Sequence, residues 1–549
     1  GGRTAVDGKD QEITPVTEQY KSSDSSINGF CCQRILCYMF VKKECILPFL
    51  SGYWTGNDDI MDIVKIERDL SRKETIMRKT KIICTLGPST DKDGIMEALI
   101  REGMDVARFN FSHGTHEEQK VRLDNLKQLR KQYDRPIAAL LDTKGPEIRI
   151  GCFEDHKITL QEGQEFTLVN DEIMGTQDRV TVSYKELYRD VKIGDSILID
   201  DGLVGMRVER IEGKDIVCTV KNGGDISDRK GVNVPGVELN MQFISEKDRE
   251  DLLFGIQEDF DFVAASFTRT ADDVRGMRKV LDENGGSSIN IIAKIENQQG
   301  VDNIDAIIEE ADGIMVARGD MGVEIPLERV PIIQQRIIQK VYQAGKVVIT
   351  ATQMLDSMMV HPRPTRAEAT DVANAIYQGT SAIMLSGETA AGKYPVEALR
   401  MMVRIAVSME NNIDYNDIFR RSERSEDPDV TNAISHATCM TAIDLKANAI
   451  LAASKTGCTA RMISKYRPGC PIGGCSSSEK VCRQLNMSWG IYPMTIKEEY
   501  SSEILCLRAI EAAQAHGLVK EGDEIVFAGG IPLGIPGRTN LIRVCIVGE

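Results

Sequence analysis

The chain has 549 residues, 42% hydrophobic and 27% charged, with a formal net charge of −16 at pH 7. That is several domains' worth of ordinary globular chain, and the acidic balance, with no dense basic run, argues against a nucleic-acid binder. An anionic substrate would have to be held by local cations against the overall field.

Residues 1–74 carry no pattern that assigns them a role. Their apolar patch "CYMFVKKECILPFL" is broken by Lys42, Lys43 and Glu44, so it is too short and too charged to span a bilayer. Cys31, Cys32, Cys37 and Cys45 cluster there, but no His lies nearby and a metal site is disfavoured. The 14 cysteines otherwise lie scattered, without zinc-type pairs, which suits free thiols in a reducing compartment. The chain starts Gly-Gly rather than Met, which points to a processed or appended start; nothing there has the form of a signal peptide.

From about residue 80, apolar strands alternate with amphipathic helices. Strands are expected at 80–86, 104–110, 136–142, 260–266, 289–295, 312–318, 346–352 and 381–387. Eight βα units predict a closed parallel (β/α)8 TIM barrel, in two parts over 75–144 and 242–415. The interruption, 145–241, is built of short alternating runs ("HKITL", "DRVTVSY", "DSILID", "GMRVERI", "DIVCTV") and reads as an inserted antiparallel β module. It leaves a βα loop, the face where barrel active sites lie, and is placed to act as a lid. The polar stretch "RRSERSEDPD" reads as a linker, and a C-terminal α/β domain follows within 416–549, with strands in "ANAILAAS", "PIGGCS", "WGIYPM", "DEIVFAGG" and "LIRVCIV".

The barrel strands end in unusually polar residues: "ARFNFSHG", "LDTKGPEIR", "KIEN", "ARGDMG" and "TATQM". Arg108, Asn110, Ser112, Asp142, Thr143, Lys294, Glu296, Asp320 and Thr352 should therefore converge on one mouth. Glu296 and Asp320 lie about one βα unit apart and suit a hard divalent cation, Mg²⁺ or Mn²⁺; the competing reading is a structural ion pair between Lys294 and Glu296. Asn110, Ser112, Asp142 and Thr143 offer neutral oxygens and one carboxylate, which fits either a monovalent cation or a hydrogen-bonded turn. With six histidines in all, a His general base is disfavoured. Metal ions with one Arg and one Lys suit phosphoryl transfer, and neither a P-loop nor the protein-kinase motifs occur.

These residues resemble the pyruvate kinase family. "IIAKIENQQGV" is similar to its active-site signature, and "CTLGPST", "ARFNFSHG", "LDTKGPEIR", "NGGDISDRKGVNVPG", "MVARGDMGVEIPLERV", "TATQMLDSM", "PRPTRAEATDVANAI" and "IMLSGETAAGKYP" follow in family order. The resemblance covers about residues 75–549. It implies transfer of the phosphoryl group of phosphoenolpyruvate to ADP, giving pyruvate and ATP, the last step of glycolysis, in a cytoplasmic homotetramer. It implies that Arg108 and Lys294 contact the transferring phosphoryl group and that Glu296 and Asp320 hold Mg²⁺ or Mn²⁺. The amides of Ala317, Arg318 and Gly319 would receive the substrate carboxylate, and Thr352 would sit near the carbon that is protonated. Asn110, Ser112, Asp142 and Thr143 match potassium ligands, with Ser266 and Lys230 close by, and Glu147 matches the K⁺-dependent form. Arg149, His113 and Lys230 would contact nucleotide phosphates.

In the C-terminal domain, Ser454, Lys455, Thr456, Gly457 and Thr459, with Arg538 opposite, resemble the family's sugar-phosphate effector loop; an ordinary capped helix is the alternative. Two departures leave the effector's identity open. Cys458 stands where many regulated members have Ser, Thr or Arg, and the distal loop "GGIPLGIPGRTN" is longer and lacks the Trp-Arg of fructose-1,6-bisphosphate-regulated animal and yeast forms. A metal-dependent aldolase or lyase would share Glu296 and Asp320 but would need neither the lid nor Lys294 with Arg108. A catalytically dead homologue would be expected to have lost site residues, and those named are all present.

Overall fold

In the computed structural model, residues 77–421, 429–535 and 537–549 are described. The N-terminal cysteine cluster and most of the expected linker lie outside these residues; the first two linker residues close the helix Tyr415–Arg421.

The strands Lys81–Thr85, Val106–Asn110, Ala138–Asp142, Phe262–Ala265, Asn290–Ile295, Gly313–Ala317, Val347–Ala351 and Ala382–Leu385 close into one parallel barrel in sequence order, the last pairing with the first. These are the eight expected strands. Most are buried at every residue, because a barrel strand has side chains on one face and helices on the other. Alternation sorts the side chains. Ile82, Ala107, Ala139, Val263, Ala293 and Ile314 pack outward in the core shared with the helices. Ile83, Val106, Leu140, Ala264, Ile292, Met315 and Ile349 fill the barrel interior.

That period of two positions the site. Moving two residues past the interior layer, towards the strand C-termini, reaches Thr85, Arg108, Asp142, Ser266 and Lys294 on five strands, and Ala317 and Ala351 on two others. The interior column therefore turns from aliphatic to polar at the mouth. The surrounding helices start cleanly there: Thr115 with Glu118, Ser245 with Asp248, Thr270 with Asp273 and Thr365 with Glu368 form capping boxes.

The insertion forms a seven-stranded sheet with its own core around Phe153, Phe166, Leu168 and Ile197, plus a two-stranded ribbon. The pairings between its strands are antiparallel with one exception: Arg179–Thr181, the edge strand, joins Glu165–Val169 in parallel. The purely antiparallel expectation fails there because the chain reaches that edge by crossing over, rather than by a hairpin.

The C-terminal domain is a five-stranded sheet in which Ala449–Ala453, Ile472–Ser476, Ile491–Thr495 and Glu524–Gly529 are parallel, and Leu541–Ile546 is an antiparallel edge. Helices cover both faces, giving two cores. The domain docks against the barrel through charges: Arg483 Nε donates to the fully buried Asp261 at 2.7 Å, and Lys81 Nζ donates to the Ile491 carbonyl at 2.6 Å. Among the described residues no helix is long and apolar enough to cross a membrane.

Candidate active site

The polar column gathers around Asp142, which is fully buried. Arg108 Nε donates to Asp142 Oδ2 at 2.6 Å, and Arg108 Nη1 donates to Thr85 Oγ1 at 2.9 Å. From the other side, Lys294 Nζ lies 3.3 Å from Asp142 Oδ1, 2.9 Å from Ser266 Oγ and 3.0 Å from Glu296 Oε1. Burial opposes the charge on Asp142, but Arg108 and Lys294 outweigh it and hold the carboxyl below its ordinary range. Burial likewise opposes the charge on Lys294, yet Asp142, Glu296 and Asp320 hold its pKa above the usual lysine value. Lys294 is therefore a fixed cation beside Arg108, with one carboxylate between them.

Glu296 differs. It is fully buried, its Oε2 accepts from the Phe267 N–H at 2.6 Å, and its Oε1 has no hydrogen-bond partner, only the ion pair with Lys294. Burial pushes its pKa up to about 7; Lys294 opposes that shift and Asp320 adds to it. Lys294 alone does not offset burial and the second carboxylate, since the Glu296 pKa stays raised, so Glu296 and Asp320 fit an additional hard divalent cation. Among the described residues no group of three or more His, Cys, Asp or Glu side chains forms a closed cage. Two carboxylates leave coordination positions to water and substrate oxygens, the habit of Mg²⁺ sites.

Asp320 lies on the short helix Arg318–Glu324. Arg318 anchors this turn: it donates to Asp371 at 2.7 Å and to the Thr352 carbonyl at 2.8 Å. Thr352 Oγ1 donates to the Ala351 carbonyl at 2.6 Å and accepts from the Gly319 N–H at 2.7 Å. Thr352 and Gln353 both have positive φ, 69° and 51°. For a β-branched residue that is strained backbone, costing of order 1–3 kcal/mol, and it is held by the Arg318 contacts.

The oxygens read as a potassium set occupy neighbouring strands, with Asn110 opposite Asp142 in register. Asn110 Oδ1 accepts from the Ser112 N–H at 3.1 Å, the hydrogen-bonded turn weighed above. Thr143 Oγ1 donates to the Ala264 carbonyl at 3.2 Å, and the Thr143 carbonyl accepts from Ser266 Oγ at 2.6 Å. Glu147 pairs with Arg149 through both oxygens, at 2.9 and 2.7 Å. Lys230 pairs with Asp200 at 2.9 Å, and His113 is exposed at the rim.

The inserted module reaches the mouth. Asn233 Nδ2 donates to Glu324 Oε1 at 2.8 Å, on the helix that carries Asp320. Burial, then Asp320 and Asp200, raise the pKa of Asp201 at the module's tip. Asp201, Thr85, Asp371 and the Phe267 amide are not singled out by the sequence. Thr85 ends its strand in "CTLGPST" and follows the same polar-end rule as its neighbours. Phe267 contributes a backbone atom from a left-handed conformation, φ 57°, which no side-chain pattern signals.

In the C-terminal domain, Ser454, Lys455, Thr459 and Arg538 line one cavity of about 690 Å³, counted to its open mouth. Thr456 and Gly457 belong to the same loop but do not line it; Gly457, at φ 76°, starts the helix Cys458–Lys465 without a side-chain cap. Glu498 and Glu499 also face the cavity, and Glu498 pairs with Lys455 at 3.2 Å.

Comparison with known proteins agrees along the described length. The family described as "Pyruvate kinase, barrel domain" matches residues 77–399, and "Pyruvate kinase, alpha/beta domain" matches 432–545. A pyruvate kinase of Clostridium acetobutylicum is 52% identical over 472 residues, covering 86% of this chain and all of its own length. One from Geobacillus stearothermophilus is 48% identical, covering 86% of this chain and 81% of its own. The solved pyruvate kinase of Cryptosporidium parvum superposes with a TM-score of 0.82 at 39% identity, covering 87% of this chain and 97% of its own. The chain belongs to the pyruvate kinase family, a family of phosphotransferases.

Proposed function

We propose that this chain transfers the phosphoryl group of phosphoenolpyruvate to ADP, giving pyruvate and ATP, as the last step of glycolysis in the cytoplasm. The observation that carries this is the buried cation–carboxylate cluster at the barrel mouth, with Lys294 and Arg108 on either side of Asp142 and Glu296 keeping one oxygen without a hydrogen bond. Phosphoryl transfer demands positioning and charge stabilisation more than covalent chemistry. Lys294 and Arg108 supply two fixed cations whose orientation is set before substrate arrives, so little reorganisation accompanies the reaction. The paired strand and helix ends at Ala317, Arg318 and Gly319 offer amides to the substrate carboxylate. Gly319's amide rests on Thr352 Oγ1, so accepting a ligand there frees the Thr352 hydroxyl to handle a proton beside the substrate's methylene carbon.

Glu296 and Asp320 would hold Mg²⁺ or Mn²⁺, which supplies charge neutralisation for the transferring group when bound. Asn110, Ser112, Asp142 and Thr143 would hold K⁺, with Ser266 bridging to Lys294. Arg149, Lys230 and His113 would receive the nucleotide phosphates, with Arg149 and Lys230 exchanging their present partners Glu147 and Asp200 for a ligand as the inserted module closes. The cavity at Ser454, Lys455, Thr459 and Arg538 would take a sugar-phosphate effector, and a homotetramer follows from the family resemblance. Mn²⁺ titration followed by electron paramagnetic resonance tests the metal assignment. Wild type binds and Glu296→Gln does not; equal binding by both removes Glu296 from the metal site. Pyruvate formation with Mg²⁺, run with and without K⁺ and with a panel of sugar phosphates, tests the rest. Activity unchanged without K⁺ would contradict the potassium assignment.

A further inference from the structure

A second cavity lies at the junction of the barrel and the C-terminal domain. It measures about 300 Å³ counted to its mouth, and its lining holds Lys346, Arg461, Lys465 and Arg467 but no Asp or Glu. In a chain of net charge −16 this is a local reversal of sign. Lys346 is already used: its ammonium donates to the Ile308, Glu309 and Ala311 carbonyls and closes the end of the helix Ile304–Glu310. Arg461, Lys465 and Arg467 form no salt bridge among the described residues.

Arg467 is only 6% exposed. Its guanidinium lies 4.5 Å from the Trp489 ring centroid and 5.4 Å from that of Tyr342, and Nη2 donates to the Gly379 carbonyl at 2.8 Å. Its Nε and Nη1 have no partner, and neither do the buried hydroxyls of Tyr342 and Ser488, which line the same cavity. Buried polar groups are rarely left unpaired, and Arg467 feels the Glu410 carboxylate only at a distance, with no direct ion pair among the described residues. A water would satisfy the hydroxyls but not the charge. Free N–H donors on Arg467 Nε and Nη1, beside the two hydroxyls, supply several hydrogen bonds and a charge to an oxyanion.

We propose that this junction pocket binds a small tetrahedral oxyanion, either inorganic phosphate or the phosphate of a small phosphomonoester, held by Arg467 with Lys465 and Arg461. The pocket is small and lined by side chains from both domains, which favours a compact anion over a nucleotide. The site is separate from the effector cavity: apart from the shared helix, none of the lining residues is common to both. Its occupant would tie two parts of the machinery together. Tyr342 lies in the last turn of the helix Val330–Gln343, from which the chain runs into the strand Val347–Ala351 that precedes Thr352. Arg461 and Lys465 belong to the helix that starts at the effector loop.

Trp489 is one of two tryptophans, so the Trp54→Phe protein carries a single reporter, set against Arg467. Full-length Trp54→Phe is titrated with inorganic phosphate, and separately with glycerol phosphate, at fixed pH and with KCl holding the ionic strength. A saturable change in Trp489 emission is expected, weakened about tenfold or more by Lys465→Gln or Arg467→Gln through loss of one charge-assisted contact. Response to phosphate alone identifies the free ion, and response to the ester alone identifies a metabolite head group; either supports the site. Lys465 is only half-buried, so Lys465→Gln keeps the test open if Arg467→Gln fails to fold. The proposal is overturned by no saturable response, by a response that KCl alone reproduces, or by one that survives Lys465→Gln. It is also overturned by a response abolished in Lys455→Ala but intact in Lys465→Gln, which would belong to the effector cavity.

Discussion

Lys294→Met removes the cation and keeps most of the side-chain volume. The ammonium stands 3.0 Å from Glu296 and 3.3 Å from Asp142. At an effective dielectric of about 20, a unit charge pair at such a distance is worth about 5 kcal/mol gross. A phosphoryl oxygen approaching as closely would gain a similar gross amount. Much of that is offset by desolvation, so the net transition-state loss should match removal of one preorganised donor, about 3–4 kcal/mol or 10²–10³-fold in kcat. Because the charge acts mainly while the group is in transit, kcat should fall more than KM rises. The fold should survive: Asp142 keeps Arg108 at 2.6 Å, and Glu296, already raised to about 7, takes up a proton instead of standing as an unpaired buried charge. The assay is pyruvate release coupled to NADH oxidation, with circular dichroism confirming that the variant is folded. Equal turnover by wild type and a folded Lys294→Met would refute the role given to this residue.

Asp142→Asn leaves Arg108 facing a neutral amide and Lys294 with Glu296 alone, and urea unfolding at pH 7 should show a loss of about 3–5 kcal/mol. Arg108 and Lys294 hold the native Asp142 carboxyl below its ordinary range against the opposing effect of burial, so its contribution is complete above the unfolded value of about 3.9 and is lost as pH falls through the native value. The gap between wild type and Asp142→Asn should therefore narrow as pH drops below about 4; a constant gap would show that the shift is not what stabilises. Lys81 runs the other way. Burial pulls it from 10.5 down to about 8, so the unfolded chain binds its proton more tightly and stability should rise as pH climbs from about 8 to 10.5. Lys81→Met should be more stable than wild type at pH 7 by about 1–2 kcal/mol, the desolvation relieved less the lost bond to Ile491, with the advantage gone above pH 10.5. A destabilised Lys81→Met would mean the buried ammonium is better solvated than its surroundings indicate.

The barrel is legible in the sequence because its strands are buried on both faces, and long apolar runs alternating with amphipathic helices fit little besides a parallel sheet. The inserted module is harder. Glu165–Val169 alternates as a strand should, yet it follows the turn "EGQ" so closely that the turn masks it, and the parallel partner of Arg179–Thr181 is set by the chain's path. Ile148–Arg149 and Gly231–Asn233 are too short to show a period at all. At the mouth, side chains are readable because a polar residue continuing an aliphatic interior column has no packing purpose. Backbone contributions are not. The Phe267 amide on Glu296 and the left-handed Thr352 depend on dihedral angles that nothing in "SFTRT" or "TATQM" announces. For Lys294 and Glu296 the sequence leaves a structural ion pair and a cation beside a metal ligand as rivals. The structure shows them paired at 3.0 Å while Glu296 Oε1 still lacks a hydrogen bond, which is compatible with a resting pair that a metal would part.

The central claim is that phosphoenolpyruvate gives up its phosphoryl group to ADP at the barrel mouth. The most direct measurement follows pyruvate and ATP together in one reaction containing the purified chain, Mg²⁺, K⁺ and phosphoenolpyruvate, before and after ADP is added. No pyruvate is expected before ADP, and one ATP should appear for each pyruvate afterwards. Pyruvate released at the same rate without ADP, or formed with no matching ATP, would contradict the account.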